Sequence, residues 1–271
     1  MKDRQKIAII GAGTLGKAIA RGLVSSGKYR SDHITLTKRL PEFPDELEKE
    51  GFNPTFDNKK VVRSSEVCII CVRPNQMDAV LEEIKDNIFP GQIIISTVTG
   101  YRLNDIQRKC GSKAIFVRAM PNTAVSIRES MTCLATTSDV DEKHLEKVKT
   151  IFKLLGDCVV VPEELMAAAT ALCACGIAFF LRAIRAASQG GVEVGFHAEE
   201  AILMAAQTAR GAASLVLDRK THPETEVDKV TTPEGFTIIG LNKMEHQGFS
   251  SALIQGIVLS TEKAQQLLNR K

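Results

Sequence analysis

Three glycines near the start of the chain, Gly11, Gly13 and Gly16, form the pattern with the clearest chemical meaning. They follow an apolar run, residues 7–10, and an amphipathic segment rich in alanine begins directly after them. In such a strand–turn–helix the first glycine permits the turn, the second lets the backbone approach a pyrophosphate, and the third lets helix and strand pack closely. We therefore expect the helix start to bind a dinucleotide phosphate; a glycine-rich turn without a ligand is the alternative. The predicted contacts here are Gly11, Gly13, Thr14, Leu15 and Gly16.

A hydroxyl and two cations follow the second predicted strand, residues 34–37. Enzymes that prefer NAD usually place Asp or Glu there, because a carboxylate accepts hydrogen bonds from the ribose. Here the position holds Thr37, Lys38 and Arg39, which suit the extra 2′-phosphate of NADP. A solvated basic turn is the alternative. NADP(H) is the expected cofactor, with NADH as a second candidate.

A loop rich in hydroxyls and turn formers, residues 230–237, is the third candidate site. It reads Val-Thr-Thr-Pro-Glu-Gly-Phe-Thr and runs into a helix predicted from Ile238. Free N–H groups and threonine side chains at a helix start make a natural carboxylate cradle. A simple helix cap is an equally good interpretation of the loop on its own.

Strands that alternate with helices over about the first 160 residues predict a doubly wound, Rossmann-type α/β sheet. After Pro162 the chain becomes alanine-rich and helical in period, so we predict two domains, a nucleotide-binding domain at 1–161 and an all-helical dimerisation domain at 162–271. The predicted strands after the first two are 67–72, 92–98, 114–118, 132–135 and 158–161. The predicted helices are 41–51, 77–88, 103–110, 142–155, 163–188, 197–217, one from 238, and 248–268.

Composition restricts the partners of this 271-residue chain. Its net charge of +3 comes from scattered Lys and Arg, and it has no Trp and two Tyr, so we expect no nucleic-acid partner. No targeting segment is visible, and polar residues interrupt the apolar stretch 166–180 too early for a membrane span, so we predict a cytoplasmic protein without a membrane partner. A few helices cannot bury so much apolar surface alone, which favours a homodimer or a higher oligomer built from dimers.

Seven cysteines at irregular spacings favour a reduced protein. Cys68 and Cys71 lie within a predicted buried strand, where residues three apart point to opposite faces, so their C-x-x-C pattern is poorly placed for redox or metal chemistry. The five histidines show no metal-ligand spacing, and we expect no metal site.

Several motifs together make the chain similar to the pyrroline-5-carboxylate reductase family. The glycine loop, residues 11–19, looks like the family's nucleotide loop, and Cys71-Val-Arg-Pro74 is similar to its Val-Lys-Pro signature. Arg118-Ala-Met-Pro-Asn-Thr123 matches its Arg-x-Met-Pro-Asn-Thr, and residues 206–213 and 239–249 match its helical domain. The resemblance covers almost the whole chain.

The resemblance implies an active site at a dimer interface and a role for each matching residue. It implies that the Thr237 hydroxyl hydrogen-bonds the imine nitrogen of the substrate as the catalytic contact. The implied carboxylate cradle is Thr232, Gly235, Phe236 and Thr237. The residues implied to line the nucleotide and the nicotinamide are Asn58, Val72, Arg73, Pro74, Met120, Pro121 and Asn122.

Three departures from the family pattern bear on the substrate. The family's Pro-Gly-Gly is Pro233-Glu234-Gly235 here, so a carboxylate stands beside a carboxylate-binding loop and must adopt a backbone conformation usually given to glycine. The family's Gly-Ser-Gly-Pro-Ala is here Ala174-Cys-Gly-Ile-Ala178, and the proline after Asn-Thr is Ala124.

The implied reaction is hydride transfer from NADPH to the C=N carbon of 1-pyrroline-5-carboxylate, which gives L-proline. One hydroxyl and a carboxylate clamp are enough to orient such an iminium under the nicotinamide. The alternatives are a reductase of another imine or of a 2-keto acid, and a non-catalytic nucleotide-binding relative. A β-hydroxyacid dehydrogenase would normally offer a catalytic Lys in the helical domain, and residues 163–207 contain none.

Overall fold

A sheet of eight strands carries the first part of the chain in the computed structural model, which describes residues 6–39, 45–111 and 114–269. The strands are β1 (Ile7–Ile10), β2 (Ile34–Thr37), β3 (Asn53–Thr55), β4 (Val67–Ile70), β5 (Ile93–Ser96), β6 (Ile115–Met120), β7 (Ser130–Thr136) and β8 (Gly156–Val160). Their order in the sheet is β3-β2-β1-β4-β5-β6-β7-β8. The Rossmann-type sheet predicted from the alternation of strands and helices is confirmed.

Helices flank this sheet and make up most of the remaining chain. The α-helices within the described residues are α1 (Thr14–Ser25), α2 (Asp45–Lys49), α3 (Asn58–Ser64), α4 (Met77–Ile84), α5 (Leu103–Cys110), α6 (Glu142–Lys153), α7 (Met166–Ala169), α8 (Gly176–Glu193), α9 (Ala198–Arg219), α10 (Pro223–Lys229), α11 (Phe236–His246) and α12 (Phe249–Asn269). Short 3-10 turns occupy Ser31–His33, Pro74–Gln76, Lys85–Asn87, Thr123–Ile127 and Glu163–Leu165, and a π-helical segment occupies Thr170–Cys175. Residues 41–44 of the helix predicted at 41–51 lie outside the described residues.

Successive side chains of β1 point to opposite faces of the sheet, and each face carries its own apolar cluster. Ile7 and Ile9 belong to one buried cluster, and Ala8 and Ile10 belong to the other. Helices cover both faces, which explains why β1 is apolar at every position. The strand order changes direction between β1 and β4, and ligands of open α/β sheets bind at such a switch point.

The last two strands of the sheet, β7 and β8, run opposite to the other six. β7 pairs antiparallel with β6, with Met120 opposite Cys133, while the other neighbouring strands are parallel. The connection between them holds only the 3-10 turn Thr123–Ile127, which is too short for the helical crossover that a parallel pair needs. The sequence shows no helix pattern between these two strands, and the reversal of direction was not predicted.

Compact packing divides the chain into two units. One unit consists of two segments, the chain up to Cys175 and the chain from Ser260 onward, and the other unit is Gly176–Leu259. The domain boundary predicted between residues 161 and 162 stays a prediction, because a division by compact packing does not test it. In the second unit α8 and α9 approach closely, because Gly191 lies where a Cβ would be 3.0 Å from the Ala201 Cβ.

The helical run Glu163–Glu193 exposes much apolar surface. An 18-residue window of it has a mean hydropathy of 1.9, so the expectation that polar residues interrupt it too early for a span is wrong. Length and composition are weak evidence of a membrane span, since core helices of soluble proteins meet the same criterion. Only 22% of that window is buried, so the helices of one chain do not cover it.

Candidate functional site

A cleft of about 480 Å³ opens at the carboxyl ends of β1, β2 and β4. It lies at the switch point of the sheet, and the glycine turn forms one wall. Of the predicted nucleotide residues, the cleft brings together Gly11, Gly13, Thr37, Lys38, Arg39, Asn58, Val72 and Arg73.

Gly11 provides the turn from β1 toward α1. Its φ of +111° lies in a region that favours glycine, and an added Cβ would lie 2.7 Å from the Cys71 carbonyl oxygen. The N–H groups of Gly11 and Ala12 donate to the Thr37 carbonyl oxygen at 3.0 Å and 2.7 Å. The turn is therefore held by the end of β2, and the main chain of Thr37 positions it.

Gly16 and Gly13 meet two different requirements. A Cβ on Gly16 would lie 2.1 Å from the Gly11 carbonyl oxygen, so only glycine lets α1 pack against the turn. A Cβ on Gly13 would meet no protein atom within 4 Å. The space before Gly13 is thus left open by the protein itself.

The residues at the start of α1 fit a dinucleotide pyrophosphate. Gly13 caps the helix without a side-chain hydrogen bond, and the first turn contains no acidic residue. Its N–H groups and the positive end of the helix dipole are therefore available to phosphate oxygens, which can approach through the open space at Gly13.

The rim of the cleft beside β2 is basic. Thr37 is buried, Lys38 is half-buried and Arg39 is exposed, and all three line the cleft. Within residues 34–39 no carboxylate stands at the position that NAD-preferring enzymes use.

The lining residues that were not predicted from the sequence include one aromatic and two polar side chains. Phe56 is 49% exposed and offers an aromatic face, and Gln76 and Glu83 come from the segment after β4. The Asn58 amide donates to Glu83 at 2.9 Å, which fixes the Asn58 side chain at the start of α3. The two partners lie 25 residues apart, and no local pattern indicated their contact.

Other predicted nucleotide residues lie outside this cleft. Thr14 and Leu15 line a neighbouring cleft of about 310 Å³ together with Thr123 and Ser126. Pro74 begins a 3-10 turn directly after Arg73, and Gly16 is a buried residue of the first turn of α1. The roles of these residues stay predictions.

The segment Met120–Asn122 follows β6 and is held firmly. Met120 and Pro121 are buried, and the Asn122 N–H donates to the Ser130 hydroxyl at 3.1 Å. The Asn122 side chain accepts from the Ala124 N–H at 3.0 Å and donates to the Cys173 carbonyl oxygen at 3.1 Å. The amide of Asn122 is therefore committed to the protein on both sides.

A buried charge pair supports the strand that leads to this segment. The Arg118 side chain is 2% exposed, and its Nη1 donates to Glu163 Oε1 at 3.2 Å. The same carboxylate oxygen accepts from the Leu103 N–H at the start of α5 at 2.6 Å. Burial lowers the pKa of Arg118 and the Glu163 carboxylate opposes that shift, so the guanidinium depends on this one partner.

The hydroxyl loop of the second unit has a defined shape. The Gly235 N–H donates to the Thr232 carbonyl oxygen at 3.0 Å, and α11 begins at Phe236 without a side-chain cap. The helix therefore starts two residues before the predicted Ile238. A Cβ on Gly235 would lie 2.5 Å from the Thr232 Oγ1, so the hydroxyl packs directly against the helix start.

The residues predicted to bind the substrate are accessible in the isolated chain. Thr232, Phe236 and Thr237 are exposed, with Phe236 at 96%. Glu234 adopts a φ of +57°, the left-handed conformation that glycine would supply, and it is exposed as well. The N–H groups at the start of α11 and the two hydroxyls are a suitable set of donors for a carboxylate.

The C-x-x-C pair is placed as predicted. Cys68 lies in the buried cluster on one face of the sheet, and Cys71 packs against the cluster on the other face. Burial raises the pKa of both thiols to about 12, which disfavours the reactive thiolate. Among the described residues, no group of three or more His, Cys, Asp or Glu is arranged to hold a metal ion.

Comparison with known families matches both parts of the chain. Residues 163–267 match the family model for pyrroline-5-carboxylate reductase dimerisation, and residues 6–100 match the model for NADP oxidoreductase, coenzyme F420-dependent.

Two relatives from Dictyostelium discoideum match the chain along almost its whole length. Pyrroline-5-carboxylate reductase 2 is 47% identical over 97% of this chain and 93% of its own length. Pyrroline-5-carboxylate reductase 1 is 51% identical over 98% of this chain, which spans only 50% of that longer relative. Among solved structures, Plasmodium falciparum pyrroline carboxylate reductase with NADP bound has a TM-score of 0.88 at 22% identity, covering 98% of each chain, and supports the fold.

Proposed function

Because the chain belongs to the pyrroline-5-carboxylate reductase family, we propose that it reduces 1-pyrroline-5-carboxylate to L-proline with NADPH. The observation that carries this proposal is the 47% identity to a reductase of nearly the same length, which spans the glycine turn and the hydroxyl loop alike. This chain matches only half of the longer relative, so the proposal rests on the relative of similar length.

The nucleotide cleft supports NADPH as the hydride donor. The open start of α1 at Gly13 accommodates the pyrophosphate, and Lys38 and Arg39 stand where a 2′-phosphate would need cations. The reduced nicotinamide supplies a hydride when it is bound. NADH lacks the 2′-phosphate and is the weaker candidate at this rim.

The hydroxyl loop supports an imino-acid substrate. Thr232, Gly235, Phe236 and Thr237 would hold the carboxylate through the N–H groups at the start of α11 and the threonine hydroxyls. The Thr237 hydroxyl would then hydrogen-bond the imine nitrogen and fix the orientation of the C=N bond. Because the nitrogen of a protonated imine would keep its proton, these residues would need to orient the C=N bond more than to supply a strong acid.

The exposed apolar surface of the helical part supports a homodimer. Large apolar side chains of Gly176–Leu259 are exposed in the isolated chain, with Phe180 at 60%, Leu203 at 70% and Ile254 at 61%. Covering such side chains is worth roughly 25 cal/mol per Å² of apolar area. A second copy of the chain is the partner we propose, with the division into residues 1–161 and 162–271 as nucleotide-binding and dimerisation domains.

The cytoplasm is the compartment we propose. All seven cysteines are free thiols, which agrees with a reducing environment.

Replacement of Thr237 by alanine tests the proposed role of its hydroxyl. The Thr237→Ala enzyme should lose at least about tenfold in kcat, the effect of one orienting hydrogen bond, while NADPH binds with unchanged affinity. Thr231→Ala is the matched control, because the Thr231 hydroxyl donates to the Val227 carbonyl oxygen at 2.8 Å and belongs to the loop alone.

Absorbance of NADPH would follow turnover with pyrroline-5-carboxylate, beside NADH and a panel of 2-keto acids. Oxidation of NADPH with the imine alone is the expected result. Binding of NADPH without turnover on the imine would refute the proposed reaction. Unchanged kcat in Thr237→Ala would remove that hydroxyl from the mechanism.

A further inference from the structure

Two cysteines far apart in the chain meet behind the segment Met120–Asn122. The Sγ atoms of Cys133 and Cys173 lie 3.6 Å apart, although 40 residues separate them. Cys133 is on β7 and 3% exposed, and Cys173 is half-buried in the π-helical segment Thr170–Cys175. It is the only Sγ–Sγ contact among the free thiols of the described residues.

The two thiols differ in reactivity because of their contact. The hydrogen bond between the two sulfur atoms lowers the pKa of Cys173 to about 7 and raises that of Cys133. Burial raises the pKa of Cys68, Cys71 and Cys110 well above the ordinary value. Cys173 therefore combines thiolate character with partial exposure, which is the environment of a reactive thiol.

The surroundings connect this pair to the predicted nicotinamide segment. Cys133 stands opposite Met120 in the antiparallel pair of β6 and β7, and both pack in one apolar cluster with Met166. The Cys173 carbonyl oxygen accepts the hydrogen bond from the Asn122 amide at 3.1 Å. A movement of Cys173 toward Cys133 thus acts directly on the residue beside Met120 and Pro121.

We propose that Cys133 and Cys173 form an oxidisable dithiol, a modification site for hydroperoxides, and that its disulfide form weakens NADPH binding. The Cys173 thiolate attacks one oxygen of hydrogen peroxide, the O–O bond breaks, and a sulfenic acid forms as the leaving hydroxide takes up a proton to become water; an organic hydroperoxide would release an alcohol instead. The Cys133 thiol then attacks the sulfenic sulfur, and the S–O bond breaks with release of a second water. Two thiols lose two electrons to the peroxide, and an external thiol reverses the reaction.

Closing the disulfide requires a local shift. The sulfur atoms must approach by about 1.5 Å to reach bonding distance. The wider turns of a π-helical segment are a common place for such adjustments in helices at functional sites. We expect the Asn122–Cys173 hydrogen bond to be lost, with a rise of about fivefold in the Kd of NADPH, as for one neutral hydrogen bond.

The test treats the intact protein with hydrogen peroxide and maps its disulfides by mass spectrometry. NADPH affinity is measured before oxidation, after oxidation and after treatment with dithiothreitol. The variants are Cys133→Ala and Cys173→Ala, and Cys175→Ala is the matched control from the same helical segment. We expect a peptide pair linked through Cys133 and Cys173 in the wild type and in Cys175→Ala. In both proteins oxidation should raise the Kd for NADPH, and dithiothreitol should return it to the value of the reduced protein.

Three results would overturn the proposal: no Cys133–Cys173 link, a link with unchanged Kd, or the same loss of affinity in oxidised Cys133→Ala. If a variant fails to fold, the three states of the wild type decide the question on their own. Disulfide mapping does not depend on the proposed function, whereas the Kd does. A reduced wild type that binds no NADPH would therefore count against the cofactor assignment and not against the dithiol.

Discussion

Alanine at position 13 should separate the nucleotide-binding role of the glycine turn from its structural role. No protein atom lies within 4 Å of the position that a Cβ on Gly13 would take. The backbone there has φ −80° and ψ −168°, an extended conformation that alanine adopts. Alanine is a poorer N-cap than glycine, which lowers the free energy of unfolding by about 1 kcal/mol. Alanine also makes the unfolded chain less flexible, which raises the free energy of unfolding by roughly 0.4–1 kcal/mol. The free energy of unfolding should therefore change by about 0.5 kcal/mol or less.

NADPH binding should change far more than stability in Gly13→Ala. The added methyl group would occupy the space through which a pyrophosphate approaches the N–H groups of α1. Loss of one or two charge-assisted hydrogen bonds, each worth about 1.5–3 kcal/mol, raises the Kd by roughly ten- to ten-thousandfold. Titration calorimetry with NADPH and thermal unfolding without nucleotide measure the two quantities separately.

The matched control is Gly16→Ala, in the same turn. Its Cβ would lie 2.1 Å from the Gly11 carbonyl oxygen and 3.1 Å from the Ile9 side chain, so the backbone itself must move. We expect a loss of about 2–3 kcal/mol in stability, in the range of an overpacked core. Wild-type affinity for NADPH in Gly13→Ala, or a loss of stability as large as that of Gly16→Ala, would refute the assignment of the open space to a ligand.

Three further changes test other parts of the site. Removal of both cations in Lys38→Ala/Arg39→Ala should weaken NADPH binding about tenfold and leave NADH binding unchanged. Titration at fixed ionic strength measures both affinities, and an equal loss for the two nucleotides would exclude a contact with the 2′-phosphate. Gly235→Ala should raise the KM for the imino acid severalfold with unchanged NADPH affinity, because its Cβ would displace the Thr232 hydroxyl at 2.5 Å; steady-state kinetics would show an unchanged KM if that hydroxyl were idle. Glu163→Gln should lower the free energy of unfolding by about 3 kcal/mol, because it leaves the buried Arg118 guanidinium without its charged partner. Chemical unfolding measures this change, and a loss below about 1 kcal/mol would show that the ion pair is dispensable.

Much of the sheet could be predicted from the sequence because its central strands β1, β4 and β5 are almost entirely apolar. Buried parallel strands such as Ile7–Ile10 and Ile93–Ser96 need no alternation, and glycine or proline turns mark their ends. Asn53–Thr55 was missed, since this edge strand is three residues long and contains Pro54. The helix Pro223–Lys229 was missed as well, because it is short and lacks an apolar stripe.

The candidate site was predictable only where one local segment carries the chemistry. The glycine turn and the basic rim after β2 are such segments, and their spacing in sequence is enough to indicate a phosphate. Contacts between distant elements leave no local signal. The Asn58–Glu83 hydrogen bond and the Cys133–Cys173 contact join residues 25 and 40 positions apart, so only the fold reveals them.

The hydroxyl loop shows why one of two adjacent family glycines can be replaced and the other kept. At Glu234 the fold requires only a positive φ of +57°, and a side chain in that conformation costs about 1–2 kcal/mol. At Gly235 the φ is an ordinary −71°, but a Cβ would come within 2.5 Å of the Thr232 Oγ1 and 2.9 Å of the Thr232 carbonyl oxygen. A conformational cost of this size is tolerable in a protein of ordinary stability, whereas a Cβ at position 235 would press on the Thr232 carbonyl and displace the hydroxyl that we propose for carboxylate binding. The departure at Glu234 is therefore compatible with the carboxylate cradle that we propose, and its own exposed carboxylate would leave the N–H groups of α11 open to a substrate.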